Sequence, residues 1–205
     1  MAHGVLFDVD GVLIDSGAMH AATWGAWAEL RSIDRTVLFD SIHGERGIET
    51  IMRVAPELVA EAELVALDEI LREHEPKASA FPEAAALLER YAGRCGLVTS
   101  GPRTPTLARF ARLGLPVPGV VVTGEDVARG KPDPEPYQLG CALLGLAAAD
   151  CVVVEDAPAG VVSGKAAGCY VLAITTSLPA EALSAADEVC EDLAAVQARL
   201  AALIP

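Results

Sequence analysis

Short apolar runs that end at polar or glycine-rich turns recur along the chain, at Gly4–Phe7, Gly96–Val98, Val120–Val122, Cys151–Val154 and Tyr170–Ile174. A run that is apolar at every position, rather than at alternate ones, predicts a strand covered on both faces, as in parallel sheets. Between these runs the apolar positions recur at helical spacing. That pattern is clearest over Pro82–Tyr91, Thr104–Leu113, Glu135–Leu146 and Ala159–Ala167, with Gly93, Gly114, Gly145 and Gly168 placed to cap the C-terminal ends. Strands alternating with helices predict an α/β, Rossmann-like three-layer core with a parallel sheet in the middle.

One interval departs from the alternation. From Ser16 to Phe81 no strand pattern is found, whereas Ala18–Arg31, Gly47–Val54 and Glu57–Glu73 all carry helical spacing. The expected organisation is a core domain of residues 1–15 and 81–205 with an α-helical cap domain, 16–80, inserted into it. The two crossings, near Ser16 and Ala80–Pro82, are expected to serve as a hinge. Near the C-terminus, the Ala-rich stretch Ala180–Ala202 is expected to be helix.

Composition supports this picture: hydrophobic residues make up 52% of the 205, enough for a sizeable core, and aromatics only 4%, so the core is aliphatic. The formal net charge of −14 argues against a nucleic-acid backbone or an anionic membrane as partner, since both reward Lys/Arg clusters. An anionic substrate would be repelled by that field, so local cations and a metal are needed inside any site that takes one. The five cysteines are odd in number and lack C-x-x-C spacing, which reads as reduced, buried thiols. There is no leader-like N-terminus and no apolar run long enough to span a bilayer, so the expected location is cytoplasmic. Nothing demands more than a monomer.

Open α/β sheets bind ligands beyond the carboxyl ends of their strands. The residues at those ends are chemically consistent: Asp8, Asp10 and Gly11 after the first run, Thr99, Ser100 and Gly101 after the second, Gly130-Lys131-Pro132 beyond the third, and Glu155-Asp156 after the fourth. Carboxylates from two strand ends are hard oxygen ligands suited to Mg²⁺. Lys131, the Thr99 hydroxyl and nearby backbone N–H groups suit phosphate oxygens. Asp8 and Asp10 would share a face on a regular strand, but a turn beginning at Gly11 lets the Asp10 side chain swing away. Asp8 is then the candidate nucleophile and Asp10 the candidate acid/base, with the Asp10 carbonyl available to metal.

Phe7-Asp8-Val9-Asp10-Gly11-Val12, Val98-Thr99-Ser100-Gly101, Gly130-Lys131-Pro132 and Val154-Glu155-Asp156, in that order, resemble the four motifs of the haloacid dehalogenase superfamily. The resemblance implies a Rossmann-like core with the first strand central, a mobile helical cap after the first motif, Mg²⁺ and an aspartyl-phosphate intermediate. Gly130–Gly140, Glu155–Gly160 and Ile42-His43-Gly44 followed by Arg46 are similar to small sugar-phosphate and glycerol-phosphate phosphatases, which are related to β-phosphoglucomutases. It implies a small phosphorylated metabolite as substrate, Asp8, Asp10, Asp156 and Glu155 around the metal, and Arg46 and His43 as cap contacts. Arg103 could reach the same substrate from the core side, and His20 from the first cap helix.

Plainer readings stand beside these. Either aspartate alone could be a turn residue or N-cap, Lys131 a solvated loop lysine, and Thr99 and Ser100 turn hydroxyls. Arg46 could merely pair with Glu45 or Glu49, and Arg103 could be a first-turn helix residue. His20 could be a packed cap residue and His43 a satisfied loop histidine. Trp24 and Trp27 read as cap core. The leading expectation is phosphomonoester hydrolysis. The alternatives are a phosphomutase using the same phosphoenzyme, and a non-catalytic phospho-receiver, which would have neither Asp10 nor a helical insertion.

Overall fold

The computed structural model describes residues 2–35, 38 and 44–204. Six strands form one parallel sheet: β1 (Gly4–Phe7), β4 (Cys95–Val98), β5 (Val120–Val122), β6 (Cys151–Glu155), β7 (Tyr170–Ile174) and β8 (Glu188–Cys190), in the order β5-β4-β1-β6-β7-β8. The register sets Val5 between Cys95 and Val152, and Phe7 between Leu97 and Val154. From β1 the chain builds outward on one side through β4 and β5, then crosses back to build β6, β7 and β8 on the other. The topological switch therefore falls between β1 and β6, where a crevice opens at the strand ends.

Successive strand residues point to opposite faces, and both faces are covered. Val5, Phe7, Leu97, Val152 and Val154 pack with α4 (Ala84–Arg90), α5 (Arg103–Leu113) and α8 (Leu193–Leu203) through Leu87, Leu88, Phe110, Val196 and Leu200. Leu6, Val98, Val153 and Val171 pack on the other face with α6 (Glu135–Leu144) and α7 (Pro158–Ala167) through Tyr137, Cys141 and Val161. This is why the strands read as unbroken apolar runs. Gly114, Gly145 and Gly168 close α5, α6 and α7 in left-handed backbone conformations.

The intervening helices α1 (Gly17–Arg31), α2 (Gly47–Val54) and α3 (Ala60–His74) enclose their own cluster around Trp24, Trp27, Ala28, Leu38 and Ile51. The two indoles meet edge to face with centroids 5.6 Å apart. Trp27 and Arg31 both donate to Glu63, at 2.9 and 2.7 Å, which satisfies a carboxylate turned into this packing.

Three expectations need correction. The interval before Phe81 is not free of strand, because β2 (Ile14–Asp15) and β3 (Ser79–Ala80) pair antiparallel at the base of the helical insertion. Two residues are too few to show a period. The Ala-rich tail is also not one helix: a 3₁₀ turn (Ala180–Leu183) and edge strand β8 precede α8, whose start is marked by Asp192 accepting from the Ala195 N–H at 2.7 Å. Gly93 lies beyond α4 in the turn that follows it, not at its cap.

Candidate active site

The crevice at the switch point gathers the strand-end residues around one buried cation. Lys131, only 2% exposed, donates from Nζ to Asp8 Oδ1 at 2.7 Å, Glu155 Oε1 at 2.6 Å and the Val98 carbonyl at 3.0 Å. Three elements thus converge on one ammonium. Tyr137 places its ring 5.2 Å from Nζ and donates its hydroxyl to Glu155 Oε1 at 2.6 Å. The other Glu155 oxygen accepts from the N–H groups of Asp156 and Ala157, at 3.1 and 3.4 Å. Gly160 has no room for a Cβ, which would overlap the Glu155 carboxylate.

Burial raises the Asp8 carboxyl well above the usual carboxylate range, against the pull of Lys131 and with the push of Glu155 and Asp156. Burial also raises Asp156, to about 7, and the charge of Glu155 adds to it. Lys131 is also raised, but against burial: burial alone would lower it, and Asp8 and Glu155 outweigh that and hold it above the usual lysine range.

Oxygens of Asp8, Glu155 and Asp156 lie within 4.8 Å of one another, and the donor set is all carboxylate. Three acids against one lysine leave negative charge that a divalent cation would balance, so these residues fit a hard metal ion such as Mg²⁺. Glu155 is within reach, but both its oxygens already have partners. Asp8 and Asp156 offer the freer ones.

After Asp10 the chain turns sharply. Gly11 has φ +79°, its N–H bonds to Ile14 O at 2.8 Å, and a Cβ there would overlap the Asp156 carboxylate. The turn carries the Asp10 side chain away from the Lys131 cluster. Asp10 Oδ1 instead meets Arg109 Nη1 at 2.8 Å and His20 Nε2 at 3.2 Å. Burial would raise the Asp10 carboxyl, but Arg109, His20 and Ser16 outweigh it and hold it below the usual range.

Between the sheet end and the helical insertion lies a cavity of about 400 Å³. Asp8, Asp10, Gly11, Thr99, Ser100, Gly101 and Asp156 line its floor, and His20, Trp24, Glu45, Leu64, Leu67 and Asp68 its roof. Thr99 Oγ accepts from the Gly101 N–H at 3.1 Å, and Ser100 Oγ donates to the Gly44 carbonyl at 2.7 Å, joining floor to roof.

Two expected substrate contacts are not brought to the cavity. Arg46 donates to Gly124, Val127 and Ala128 carbonyls at 3.4, 3.1 and 3.1 Å and to Glu49 at 2.5 Å, so its guanidinium clasps the insertion to a core loop. Arg103 is taken up by the Val121 carbonyl at 3.0 Å and Asp126 at 2.6 Å. His43 lies outside the described residues. Arg109 and Tyr137 were not expected. Each falls where a helix's apolar stripe continues, Thr106-Arg109-Phe110 and Tyr137-Gly140-Cys141, and a polar side chain on such a stripe is the available signal.

A family model described as haloacid dehalogenase-like hydrolase matches residues 2–168. Hexitol phosphatase A from Escherichia coli is 41% identical over 93% of this chain and 91% of its own. Glycerol-1-phosphate phosphohydrolase 2 from Saccharomyces cerevisiae is 34% identical over 85% of this chain and 75% of its own. Among solved structures, a hydrolase from Pseudomonas syringae superposes with a TM-score of 0.89 at 22% identity, covering 99% of this chain and all of that one (100%), which speaks to the fold.

Proposed function

The chain belongs to the haloacid dehalogenase-like hydrolases and is a phosphatase, and we propose that it hydrolyses a small sugar or polyol phosphate, with Mg²⁺, through a phosphoryl group carried on Asp8. The observation that carries this reading is the buried Lys131 paired to Asp8 on the floor of a cavity that also admits Asp10.

An Asp8 oxygen attacks phosphorus as the ester P–O bond breaks, and Asp10, whose ionised form is favoured in the free protein and which must therefore take up a proton in the substrate complex, gives that proton to the leaving oxygen. Asp10 then takes a proton from water, whose oxygen bonds to phosphorus as the Asp8–phosphorus bond breaks. Lys131, Thr99 and the N–H groups near Gly11 and Ser100 hold the phosphoryl oxygens. Mg²⁺, when bound, would be held by Asp8, Asp156 and the Asp10 carbonyl with Glu155 beside them, and would supply positive charge facing the phosphoryl group. Residues 16–80 act as the cap over this chemistry.

The cavity favours an uncharged, hydroxyl-bearing leaving group. Among the described lining residues none is Lys or Arg, whereas Asp15, Glu45 and Asp68 offer acceptors to hydroxyls. The relatives named for hexitol and glycerol phosphates point the same way.

The test is phosphate release, with Mg²⁺, from a panel of polyol, sugar and short-acid phosphates. Release from polyol or sugar phosphates that Asp8→Asn abolishes is expected. Release that survives Asp8→Asn, or isomerisation of a sugar phosphate without free phosphate, overturns it.

A further inference from the structure

Arg109 is a buried cation outside the four motifs. It sits on α5 with its side chain 3% exposed, and every part of its guanidinium is in use. Nη1 donates to Asp10 Oδ1 at 2.8 Å, Nε to both Glu75 oxygens at 3.1 and 3.2 Å, and Nη2 to Glu75 Oε1 at 2.7 Å. Glu75 opens the short 3₁₀ turn Glu75–Lys77 after α3, in the segment by which the chain returns from the helical insertion to the sheet. Arg112 holds the same segment through the carbonyls of Glu75 and Ala78, at 2.8 and 3.2 Å. From the opposite side His20, on α1, approaches the same Asp10 oxygen.

We propose that Arg109 is a positioning residue that fixes the orientation of the Asp10 carboxylate and ties it, through Glu75, to the segment that carries the cap. The inference rests on the reading of Asp10 as acid/base. A carboxylate at the start of a turn can rotate about two side-chain bonds, and proton transfer needs it within hydrogen-bond reach of the leaving oxygen. A displacement of about 1 Å at such a group costs on the order of 10²-fold in rate. The planar fork of arginine presents its donors in fixed directions, unlike the rotatable donors of a lysine ammonium, and so sets the orientation of both carboxylates it holds. A shift of the cap-bearing segment moves Glu75, and with it the group that orients Asp10.

A purely structural role would make Arg109 a fastener between α5 and the returning segment, with loss of Arg109 weakening every substrate alike. The proposal is more selective. Because kcat/KM reports the steps through departure of the leaving group, two substrates separate the cases. A polyol phosphate turned over by the wild-type protein needs a proton on its leaving oxygen, and p-nitrophenyl phosphate does not. Arg109→Gln is expected to lower kcat/KM at least about tenfold for the polyol ester and less than about threefold for the nitrophenyl ester, within the 10²–10⁴-fold that a general acid supplies. Glu75→Gln, which leaves Arg109 in place, should show the same selectivity to a smaller degree, and it carries the test if Arg109→Gln does not fold. In an Asp10→Asn background, Arg109→Gln should leave the ratio between the two substrates unchanged. Equal losses on both substrates, or no loss, in Arg109→Gln and Glu75→Gln while Asp10→Asn is selective overturns the role of Arg109. A non-selective Asp10→Asn overturns the acid/base reading itself.

Discussion

Replacing Lys131 with Met removes the ammonium around which the floor of the cavity is built while keeping most of its volume. The side chain is 1% exposed and contacts Asp8 at 2.7 Å and Glu155 at 2.6 Å, the latter wholly buried. Removing one partner of a buried ion pair costs about 3–5 kcal/mol, because the remaining charge is left without compensation. At about 2–4 °C per kcal/mol for a chain of this size, that is a fall in Tm of about 6–20 °C. The variant's stability should depend on pH. Burial already raises the Asp8 carboxyl in the folded protein, and without Lys131 it rises further, whereas in the unfolded chain it ionises near about 4. Between those values the folded variant binds more protons than the unfolded chain, so its stability increases as pH falls. Urea unfolding of metal-free wild type and variant at about pH 8 measures the deficit, and repeating it at lower pH follows the variant's gain in stability. A deficit under about 1 kcal/mol at pH 8 would refute the account of Lys131 as a charge-compensating centre.

Under the proposed metal site, Mg²⁺ should raise the Tm of the wild-type protein and Asp156→Asn should abolish that rise, measured by thermal unfolding with and without the ion. In the metal-free protein, burial and the charge of Glu155 raise Asp156 to about 7. Protons and Mg²⁺ therefore compete there, and calorimetric Mg²⁺ affinity should fall steeply below about pH 7 and level off above it. Arg46→Ala should free the core loop that its guanidinium clasps, seen as faster amide exchange at Gly130, whose N–H meets Glu49 Oε1 at 3.4 Å beside that clasp. Gly160→Ala should destabilise the fold by about 1–3 kcal/mol in urea unfolding, because its Cβ has to displace the Glu155 carboxylate.

The core was legible because parallel strands buried on both faces leave an unbroken apolar signature, and because left-handed caps demand residues such as Gly114 and Gly168. β2 and β3 were not, since elements of two residues carry no measurable period, and β8 was not, because Glu188-Val189-Cys190 is no apolar run and lies in an Ala-rich stretch that reads as helix. At the site, motif spacing brought forward Asp8, Lys131 and Asp156, whose placement follows from strand order. Arg46 and Arg103 were drawn toward the substrate by their neighbours in sequence, but Arg46 finds carbonyls of a core loop and Glu49 on α2, and Arg103 finds the Val121 carbonyl on β5 and Asp126. Arg109 was missed for the converse reason: it belongs to no motif, lying within the helix that follows the second one, and only the packing of α5 brings it to Asp10.

The antiparallel pairing of Asp15 with Ser79 makes the ends of the insertion neighbours in space, though more than sixty positions separate them along the chain. Removing the intervening helices, or exchanging them for others, would leave a gap that a short turn can close without disturbing β1 or β4. The covalent path between insertion and core runs through this narrow seam, while Arg46, Ser100 and Arg109 add side-chain contacts across the same boundary. An exchanged insertion would therefore have to supply partners for Arg46, Ser100 and Arg109, as well as the β2–β3 pairing, in order to sit on this core.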